Sequence, residues 1–517
     1  MALEQTAITS LLKDQLIPDW QKEHEKLCWL DRWYRWDPED VRIPRGATPE
    51  MKALLQLSKV PWLGLVITSI AQCLFVDGYR SINDPVIDPD DVVKPPLMPG
   101  EAPKKITASK PKPPEGPWRI WLANQMDRQQ AGIHRAALAY GYSYATVLPG
   151  KDFTGEKMPV ITGISPRKMW AAYENPATDD WPEYAMQVLR KTDTGMRVRL
   201  FDNTHVYTVR VNSGPSQPGE STVIIEKSEQ HGAGVCPVVR YCNELDLDGR
   251  TPGEIEPHIP LAARINKTSY DRMLAQHYNS WKVRWIAGMA EPDLEEDAVR
   301  KKLKLAQDDF LVAEDADTKF GSLPETTLGG FVSAHEADVE ALAAVTQTPT
   351  HELTGKMINL SAEALAAARA SQAQKVAEKQ ISLGSSHTQG LRLASSYLGD
   401  EASAKDITGR VTWQDTTIRS LAQAVDAYGK AATMLHIPDQ ALWGRIPGVT
   451  KADVAEWIEM AKLIDPMEQQ LNMMMKQAAP APGQNGAAPK PAANGAKPSG
   501  GVPGNDPSSR KPAGSRG

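Results

Sequence analysis

The stretch from Val345 to Leu398 constrains the fold of this chain more than any other. It begins with a helix-like segment that runs into Pro349, which cannot donate a helical hydrogen bond and pushes the preceding residue out of helical geometry. A polar loop follows, and Ser361 then precedes a long alanine-rich segment whose first amide groups it can cap. The pattern predicts a helix, a short loop and a second, long helix in succession.

Length and charge indicate a multidomain protein with an acidic body. At 517 residues the chain is too long for one simple core, so two to four domains are expected. The net charge is −6, whereas residues 477–517 carry five basic residues and one acidic residue, which leaves −10 for residues 1–476. Proteins that grip DNA over a large face need many lysines and arginines. The composition argues against that class, but not against a protein past which DNA slides.

Cysteine usage and hydropathy bear on the cellular compartment. Cys28, Cys73, Cys236 and Cys242 lack the close pairing of zinc and redox motifs, so we interpret them as reduced thiols in a reducing cytoplasm. No signal peptide is recognisable at the start of the sequence. The most apolar run, residues 60–76, is shorter than the roughly 20 residues of a membrane span and predicts a buried core helix.

Hydrophobic periodicity predicts a mainly helical α+β chain. Helical patterns cover residues 2–36, 49–75, 118–138, 257–280, 294–305, 330–345, 417–435 and 451–475. Strand patterns cover residues 142–148, 160–234, 235–241, 281–286, 310–313 and 411–413. Within the second of these, residues 196–201 and 205–211 alternate sides around Asp202-Asn203-Thr204, which predicts a hairpin with residues 221–226 beside it.

Two segments have compositions that oppose regular structure. Residues 83–117 contain ten prolines in 35 positions, which predicts a loop or extended arm. Residues 477–517 are rich in alanine, proline and glycine and contain no aromatic residue, which predicts a disordered tail. Neither segment is expected to contribute to a core.

Motifs for catalysis and metal binding are incomplete. Gly355-Lys356 is followed by methionine and lacks the upstream glycine of a phosphate loop, which argues against an ATP-driven motor. His351-Glu352 lacks the second histidine of a zinc-protease helix. Asp246, Asp248 and Glu254 do not have the spacing of a calcium loop. We therefore predict no catalytic residue, no metal and no cofactor, although scattered histidines and carboxylates leave an uncharacterised enzyme as an alternative.

Several segments resemble, in the same order, those of the siphophage-type portal proteins of tailed double-stranded DNA bacteriophages. The Cys236–Asn243 strand leads to Gly253, where the family usually has serine, and Ser361–Leu365 resembles the start of its long helix. The other matching segments are residues 60–79, 118–127, 137–147, 411–415 and 424–430. The resemblance covers roughly residues 20–465 and extends neither to the proline-rich arm nor to the tail.

The resemblance implies a portal fold whose parts follow one another along the chain. These parts are the N-terminal wing region (1–256, with the proline-rich arm 83–117 and a β-rich part 160–242), the first stem helix (257–280), the clip (281–328), the second stem helix (329–347), the tunnel loop (348–361), the long wing helix (362–410), the crown-like helices (411–476) and the disordered tail (477–517).

The resemblance also implies an assembly and its partners. Twelve copies would form a ring at one capsid vertex, through which double-stranded DNA is packaged and ejected. The implied partners are the terminase large subunit, a head–tail adaptor, the major capsid protein and the scaffolding protein, with no membrane. The protein would be assembled in the host cytoplasm and reside in the virion. Another structural head protein, such as a minor capsid or adaptor subunit, is the main alternative.

Six side chains are candidates for the surface that meets DNA. Glu336 and Glu340 share a helix face, which is either a DNA-repelling collar in a ring or a solvated or intersubunit face. On the preceding stem helix, Arg264 and Lys267 either contact phosphates weakly or pair with acidic groups of a neighbour. For direct contact from the tunnel loop, His351 and Lys356 are the candidates.

Overall fold

The computed structural model of the chain describes most of residues 2–444 and a few positions up to 460. The described ranges are 2–36, 46–81, 116–193, 195–213, 221–280, 284–287, 319–322, 326–356, 362–414 and 421–444, with 446, 449, 453–454, 456–458 and 460. The predicted elements at 294–305 and 310–313 and the predicted tail lie outside these ranges, as do nearly all of the proline-rich arm and most of the helix predicted at 451–475.

The described elements mix helices with antiparallel strands, as expected for an α+β chain. The helices are α1 (Gln5–Ser10), α2 (Ile17–Arg35), α3 (Pro49–Leu57), α4 (Trp62–Ala71), α5 (Gly116–Ala123), α6 (Met126–Tyr140), α7 (Ile259–Asn279), α8 (Gly329–Thr346), α9 (Thr350–Thr354), α10 (Ala362–Leu398), α11 (Glu401–Lys405), α12 (Leu421–Leu435) and α13 (Asp439–Trp443). The strands are β1 (Val76–Arg80), β2 (Tyr142–Leu148), β3 (Val160–Ile164), β4 (Met169–Ala172), β5 (Tyr184–Thr192), β6 (Gly195–Phe201), β7 (His205–Ser213), β8 (Ser221–Gln230), β9 (Val238–Cys242), β10 (Arg284–Ala287), β11 (Lys319–Ser322) and β12 (Arg410–Trp413).

The chain divides into two compact units. The first contains residues 1–93, 109–436 and 445–447, and the second contains residues 94–108, 437–444 and 448–517. Within the second unit, the rings of Trp443 and Trp457 meet edge to face with centroids 6.1 Å apart. All the sheets and the helices α1 to α12 belong to the first unit.

The helix predicted at 49–75 is two helices, α3 and α4. Pro61 precedes α4 and cannot donate a helical hydrogen bond, so the chain bends between the two. The stretch Pro49–Ala71 is long and apolar enough to cross a membrane by length and composition alone. Its second half nevertheless packs into the protein core, where Leu63, Val66 and Ile67 are completely buried.

The helix predicted at 118–138 is also two helices, α5 and α6, separated at Gln125. That residue has a positive φ of 49°, which ends α5. The Asn124 amide supports the break because it donates to Pro159 O and accepts from the Ile161 N–H, fixing the helix junction to β3. The start of α5 also corrects the predicted arm, because Pro117 lies in its first turn, where proline fits a helix.

Two larger sheets carry the β-rich part of the chain. The order is β3-β2-β9 in one sheet and β4-β5-β6-β7-β8 in the other, and all neighbours are antiparallel. The predicted hairpin is confirmed as β6 and β7, with β8 beside it. Asp202 closes its turn, since its carboxylate accepts from the Thr204 amide at 2.6 Å.

Long helix α10 crosses the core and meets both strand and helix partners. Leu383, Leu391 and Ala394 are buried along it. Strand β12, just after α11, returns to pair with β1, so segments more than 300 residues apart share one small sheet. The middle of α10 contacts both β9 and β12.

A histidine pair joins α6 and α10 inside this core. The two Nε2 atoms of His134 and His387 lie 2.8 Å apart, and both rings are almost fully buried. His134 Nδ1 donates to Leu74 O at 3.1 Å, so its Nε2 must accept from His387, whose Nδ1 accepts from the Tyr241 hydroxyl. With both imidazoles neutral, this arrangement satisfies all four ring nitrogens. Burial accordingly lowers the pKa of His134 to about 4 and that of His387 well below its usual range.

Candidate functional site

Helices α7 and α8 pack against each other and are joined at one end. Across the pair, Arg264 of α7 forms an ion pair of 2.8 Å with Asp338 of α8. At the far end, the Asn279 amide donates to Thr326 O at 2.8 Å and accepts from the Thr326 N–H at 3.2 Å. Strands β10 and β11 then pair antiparallel beyond this junction. The end of α7 and the residues just before α8 are therefore held together at Asn279 and Thr326.

Helix α8 ends in a turn that carries glutamine where helices usually place glycine. Gln347 has φ 55°, in the left-handed region, and its N–H donates to Ala344 O at 3.3 Å. The next amide, that of Thr348, donates to Ala343 O at 3.0 Å. These two bonds form a Schellman motif, which satisfies the last carbonyl groups of a helix. The loop after α8 therefore starts from a fixed geometry.

The segment predicted to be a polar loop contains a short helix. Residues Thr350–Thr354 form α9, and Gly355 follows with φ 67°, a conformation that glycine adopts without strain. Glu352 of α9 is bound to α10 by Arg369, at 2.9 Å. The prediction missed this helix because five residues are too few to show a helical period. Residues 357–361 of the predicted tunnel loop lie outside the described part of the chain.

A groove of about 610 Å³ lies where α8, α9 and the start of α10 meet, and it brings four of the six predicted residues together. Glu336, Glu340, His351 and Lys356 all line it. Small side chains form much of the remaining wall, including those of Ala343, Ala344, Ala368 and Ser371. The helical spacing of the two glutamates predicted their shared face, and the structure places that face on the groove.

Two of the residues that line this groove form an ion pair. Lys356 Nζ donates to Glu336 Oε1 at 2.7 Å, and both side chains are at least half exposed. The hydrogen bond, reinforced by the opposite charge, lowers the pKa of Glu336 and raises that of Lys356. Exposed pairs of this kind contribute little to stability. The pair instead neutralises the ammonium group of Lys356, which the sequence suggested as a DNA contact of the tunnel loop.

His351 occupies a different environment from Lys356. Its Nε2 atom is buried and has no hydrogen-bond partner among the described residues. The remaining two predicted residues are not in the groove: Arg264 is paired with Asp338, and Lys267 binds Asp271 on its own helix, close to the Tyr270 ring. Both cations are therefore already paired within the chain.

A buried ion cluster fixes the groove to the rest of the unit, and sequence reasoning did not find it. Glu254 accepts from Lys375 at 2.6 Å and from Lys379 at 3.0 Å, and all three side chains are almost buried. Burial alone raises the pKa of Glu254, but the two lysine charges outweigh burial and lower it. Lys375 also donates to Thr346 O, at the end of α8. This cluster explains why Glu254 is unavailable for the calcium loop considered from sequence.

The described residues contain no group of histidine, cysteine, aspartate or glutamate side chains arranged to hold a metal ion. The geometry is instead that of paired helices, a short loop and a small-residue groove held by ion pairs. Residues 13–470 match the family described as phage portal protein, SPP1 Gp6-like.

The chain belongs to this family.

It is a phage portal protein, and the matched region covers most of its 517 residues. A search of curated protein sequences found no individual relative that matches. The family is structural rather than enzymatic, and it places the portal protein in the phage virion, at the capsid vertex. Neither alternative, another head protein or an enzyme, gains support from the match.

Proposed function

We propose that this portal protein assembles into a closed ring, of twelve copies, whose central channel passes double-stranded DNA during packaging and ejection. Helices α7 and α8 would form the stem, the segment between them the clip, residues 348–361 the tunnel loop, α10 with α11 the wing helix, and residues 411–476 the crown. Assembly would take place in the host cytoplasm, with the scaffolding and major capsid proteins as partners.

The arrangement of α7 and α8 carries this proposal. Two packed helices, closed by the Asn279–Thr326 bonds, project a module that begins with β10 and returns through β11. Among the described residues, this module joins its helices at the Asn279–Thr326 junction, which suits a docking part that meets other proteins. We assign it the binding of the terminase large subunit and, later, of the head–tail adaptor.

The pairing of β10 with β11 allows a sharp test of that assignment. Ala287 and Lys319 are directly paired, so a two-residue Asn-Gly turn can join them in place of residues 288–318. We expect the shortened chain to form rings like the full chain and to lose binding to the terminase large subunit. Rings that bind the terminase as tightly as the full chain would contradict the assignment.

We assign DNA contact to the groove that Lys356 and Glu336 line. Among the described residues that line the groove, the one lysine is paired with Glu336, which suits a surface that must release phosphates as DNA advances. A passing phosphate would compete with Glu336 for the Lys356 ammonium group, while Glu340 beside it would oppose prolonged binding. The groove would therefore touch DNA briefly rather than grip it.

A further inference from the structure

The loop between β2 and β3 presents a fully exposed aromatic side chain. Phe153 lies at the tip of this hairpin and is completely accessible to solvent. The loop around it is well ordered by its own bonds: Asp152 Oδ1 accepts from the Thr154 amide at 2.8 Å and from the Glu156 amide at 3.1 Å. A large apolar side chain held on a rigid support is a typical anchor residue of protein interfaces.

Two lysines flank the anchor. Lys151 and Lys157 face each other across an isolated β-bridge at the base of the tip, and both are exposed. Neither ammonium group has an acidic partner among the residues that the structure describes. We call Lys151–Lys157, with Phe153 at its tip, the Phe153 hairpin. Its partner surface should offer an apolar recess bordered by carboxylates.

A surface of that kind lies at the other end of β2. A groove of about 630 Å³, here called the tyrosine groove, opens where β2 begins. Its walls include the rings of Tyr140, Tyr142, Tyr144, Trp170 and Tyr173. Tyr142 and Tyr144 already meet edge to face, with centroids 5.4 Å apart, and a further aromatic ring can extend this packing.

The border of the tyrosine groove complements the two lysines. Asp19 and Glu23, one helical turn apart on α2, line the groove. Neither carboxylate has a cationic partner in the described part of the chain, and Glu23 accepts only from the Tyr142 hydroxyl, at 3.0 Å. The hairpin thus carries two unpaired positive charges. The groove carries these two unpaired carboxylates and one cation without a described acidic partner, Arg240, whose guanidinium donates to Pro176 O and lies over the Tyr173 ring.

The positions of the two surfaces decide how they can meet. Strand β2 starts at the groove, with Tyr142, and ends at Leu148, before the hairpin, so the two surfaces lie about 20 Å apart along one strand. A hairpin cannot reach a groove at the opposite end of its own strand, but it can reach that of another copy. Two different surfaces that complement each other make a heterologous contact. Such contacts form a closed ring when the rotation from one copy to the next divides a full turn evenly.

We infer that the Phe153 hairpin of one copy seats in the tyrosine groove of the next copy around the ring. Phe153 packs against the tyrosine rings, and Lys151 and Lys157 pair with Asp19 and Glu23 of that neighbour. This contact rests on the proposed ring assembly and supplies one of its intersubunit interfaces.

Cross-linking of the full chain tests the contact. Gln15 is exposed and borders the tyrosine groove, and Thr154 is exposed beside Phe153, so the variant Thr154→Cys/Gln15→Cys places one thiol on each surface and keeps the anchor ring. Treatment of assembled rings with a short bismaleimide should give a ladder of covalent multimers on a denaturing gel. The wild-type chain controls for the native cysteines, and Ile407→Cys/Gln15→Cys controls for an exposed apolar position elsewhere.

Each result of this experiment has a distinct meaning. A ladder from the Thr154→Cys/Gln15→Cys variant alone supports the contact. Intact rings without a ladder overturn it and leave the ring itself standing, which would make the hairpin an anchor for another capsid component. A wild-type chain that stays monomeric overturns both the contact and the proposed assembly.

A charge exchange tests the pairing separately. Lys157→Glu should lower the fraction of chain in rings several-fold at low salt, and adding Asp19→Lys should restore it. Restoration in the double variant supports direct pairing across the interface. Assembly of both single variants at the wild-type level overturns the assigned pairing, and circular dichroism spectra of all variants establish that they remain folded.

Discussion

Lys375 of α10 donates a hydrogen bond of 2.6 Å to the carboxylate of Glu254, which lies just before α7. The same ammonium group donates to Thr346 O at the end of α8. One lysine therefore connects the long helix to both members of the helix pair. Any movement of α8 relative to α10 has to break the bond between Lys375 and Thr346 O or move the cluster with it.

Removing the Glu254 carboxylate, which both Lys375 and Lys379 contact, should destabilise the protein strongly. Glu254→Gln leaves the nearly buried Lys375 without its counter-charge and leaves Lys379 with the exposed Glu244 carboxylate, 3.7 Å away, which should cost about 3 kcal/mol of unfolding free energy. Urea denaturation of the purified chain measures this loss. Glu401→Gln, which removes an exposed i,i+4 partner of Lys405, is the matched control and should change stability by less than about 0.5 kcal/mol. Equal effects in the two variants would contradict the structural role of the cluster.

The buried histidine pair should make stability depend on pH. Because burial depresses the folded-state pKa of His134 and His387, the unfolded chain binds more protons than the folded chain below pH 6.5. The stability that the neutral histidine pair contributes is fully present above pH 6.5 and is lost as the pH falls toward about 4. For His134 alone the loss is on the order of 3 kcal/mol, at about 1.4 kcal/mol per pKa unit.

A substitution at His387 separates the pH dependence caused by the histidine pair from that caused by the titration of carboxylates. His387→Gln should lower stability at pH 7.5, yet the further loss between pH 7.5 and pH 5 should be smaller than in the wild type. Urea midpoints at the two pH values provide the comparison, with exposed His436→Gln as the control. Parallel pH profiles for the wild type and His387→Gln would show that the pair does not titrate as proposed.

Gly253 is required by the local packing. A Cβ atom at this position would lie 2.7 Å from Ala139 O and 2.8 Å from Gly141 N, so the backbone would have to shift. We expect Gly253→Ala to cost about 1–3 kcal/mol. Gly132→Ala is the matched control, because it lies in α6 with open space around it and should stabilise by about 0.5–1 kcal/mol. A melting temperature of Gly253→Ala equal to or above that of the wild type would contradict this packing role of Gly253.

Lys356 should affect DNA passage but not folding. Lys356→Ala removes an exposed ion pair, so its unfolding free energy should stay within about 0.5 kcal/mol of the wild type. DNA packaging by capsids that carry the variant should fall several-fold, while Lys356→Arg, which keeps the charge, should retain most of the activity. Lys405→Ala removes a comparable exposed pair away from the groove and serves as the control. DNA packaging at the wild-type level by Lys356→Ala capsids would contradict the proposed contact between Lys356 and DNA.

Local sequence signals predicted much of the fold and part of the site. The β6–β7 hairpin followed from strict alternation around Asp202-Asn203-Thr204, and the end of α8 followed from Pro349. The break between α5 and α6 was missed because Gln125 adopts the left-handed conformation that sequence rules assign to glycine. The contacts of neighbouring Asn124 with Pro159 and Ile161 support this break, and such tertiary contacts leave no trace in the local pattern.

The candidate site shows the same division. A helical repeat was enough to place Glu336 and Glu340 on one face, and both line the groove. The pairing of Lys356 with Glu336 joins residues 20 positions apart across a turn, and that of Glu254 with Lys375 spans 121 positions. Nothing in the spacing of charged residues specifies such partners, because they depend on how α8, α9 and α10 pack.

Negative-stain electron microscopy of the purified full chain tests the central claim most directly. The account predicts rings with a central channel and twelve-fold rotational symmetry, and the count can be checked by native mass spectrometry of the same sample. A chain that remains a compact monomer or dimer at high protein concentration would contradict the proposed assembly.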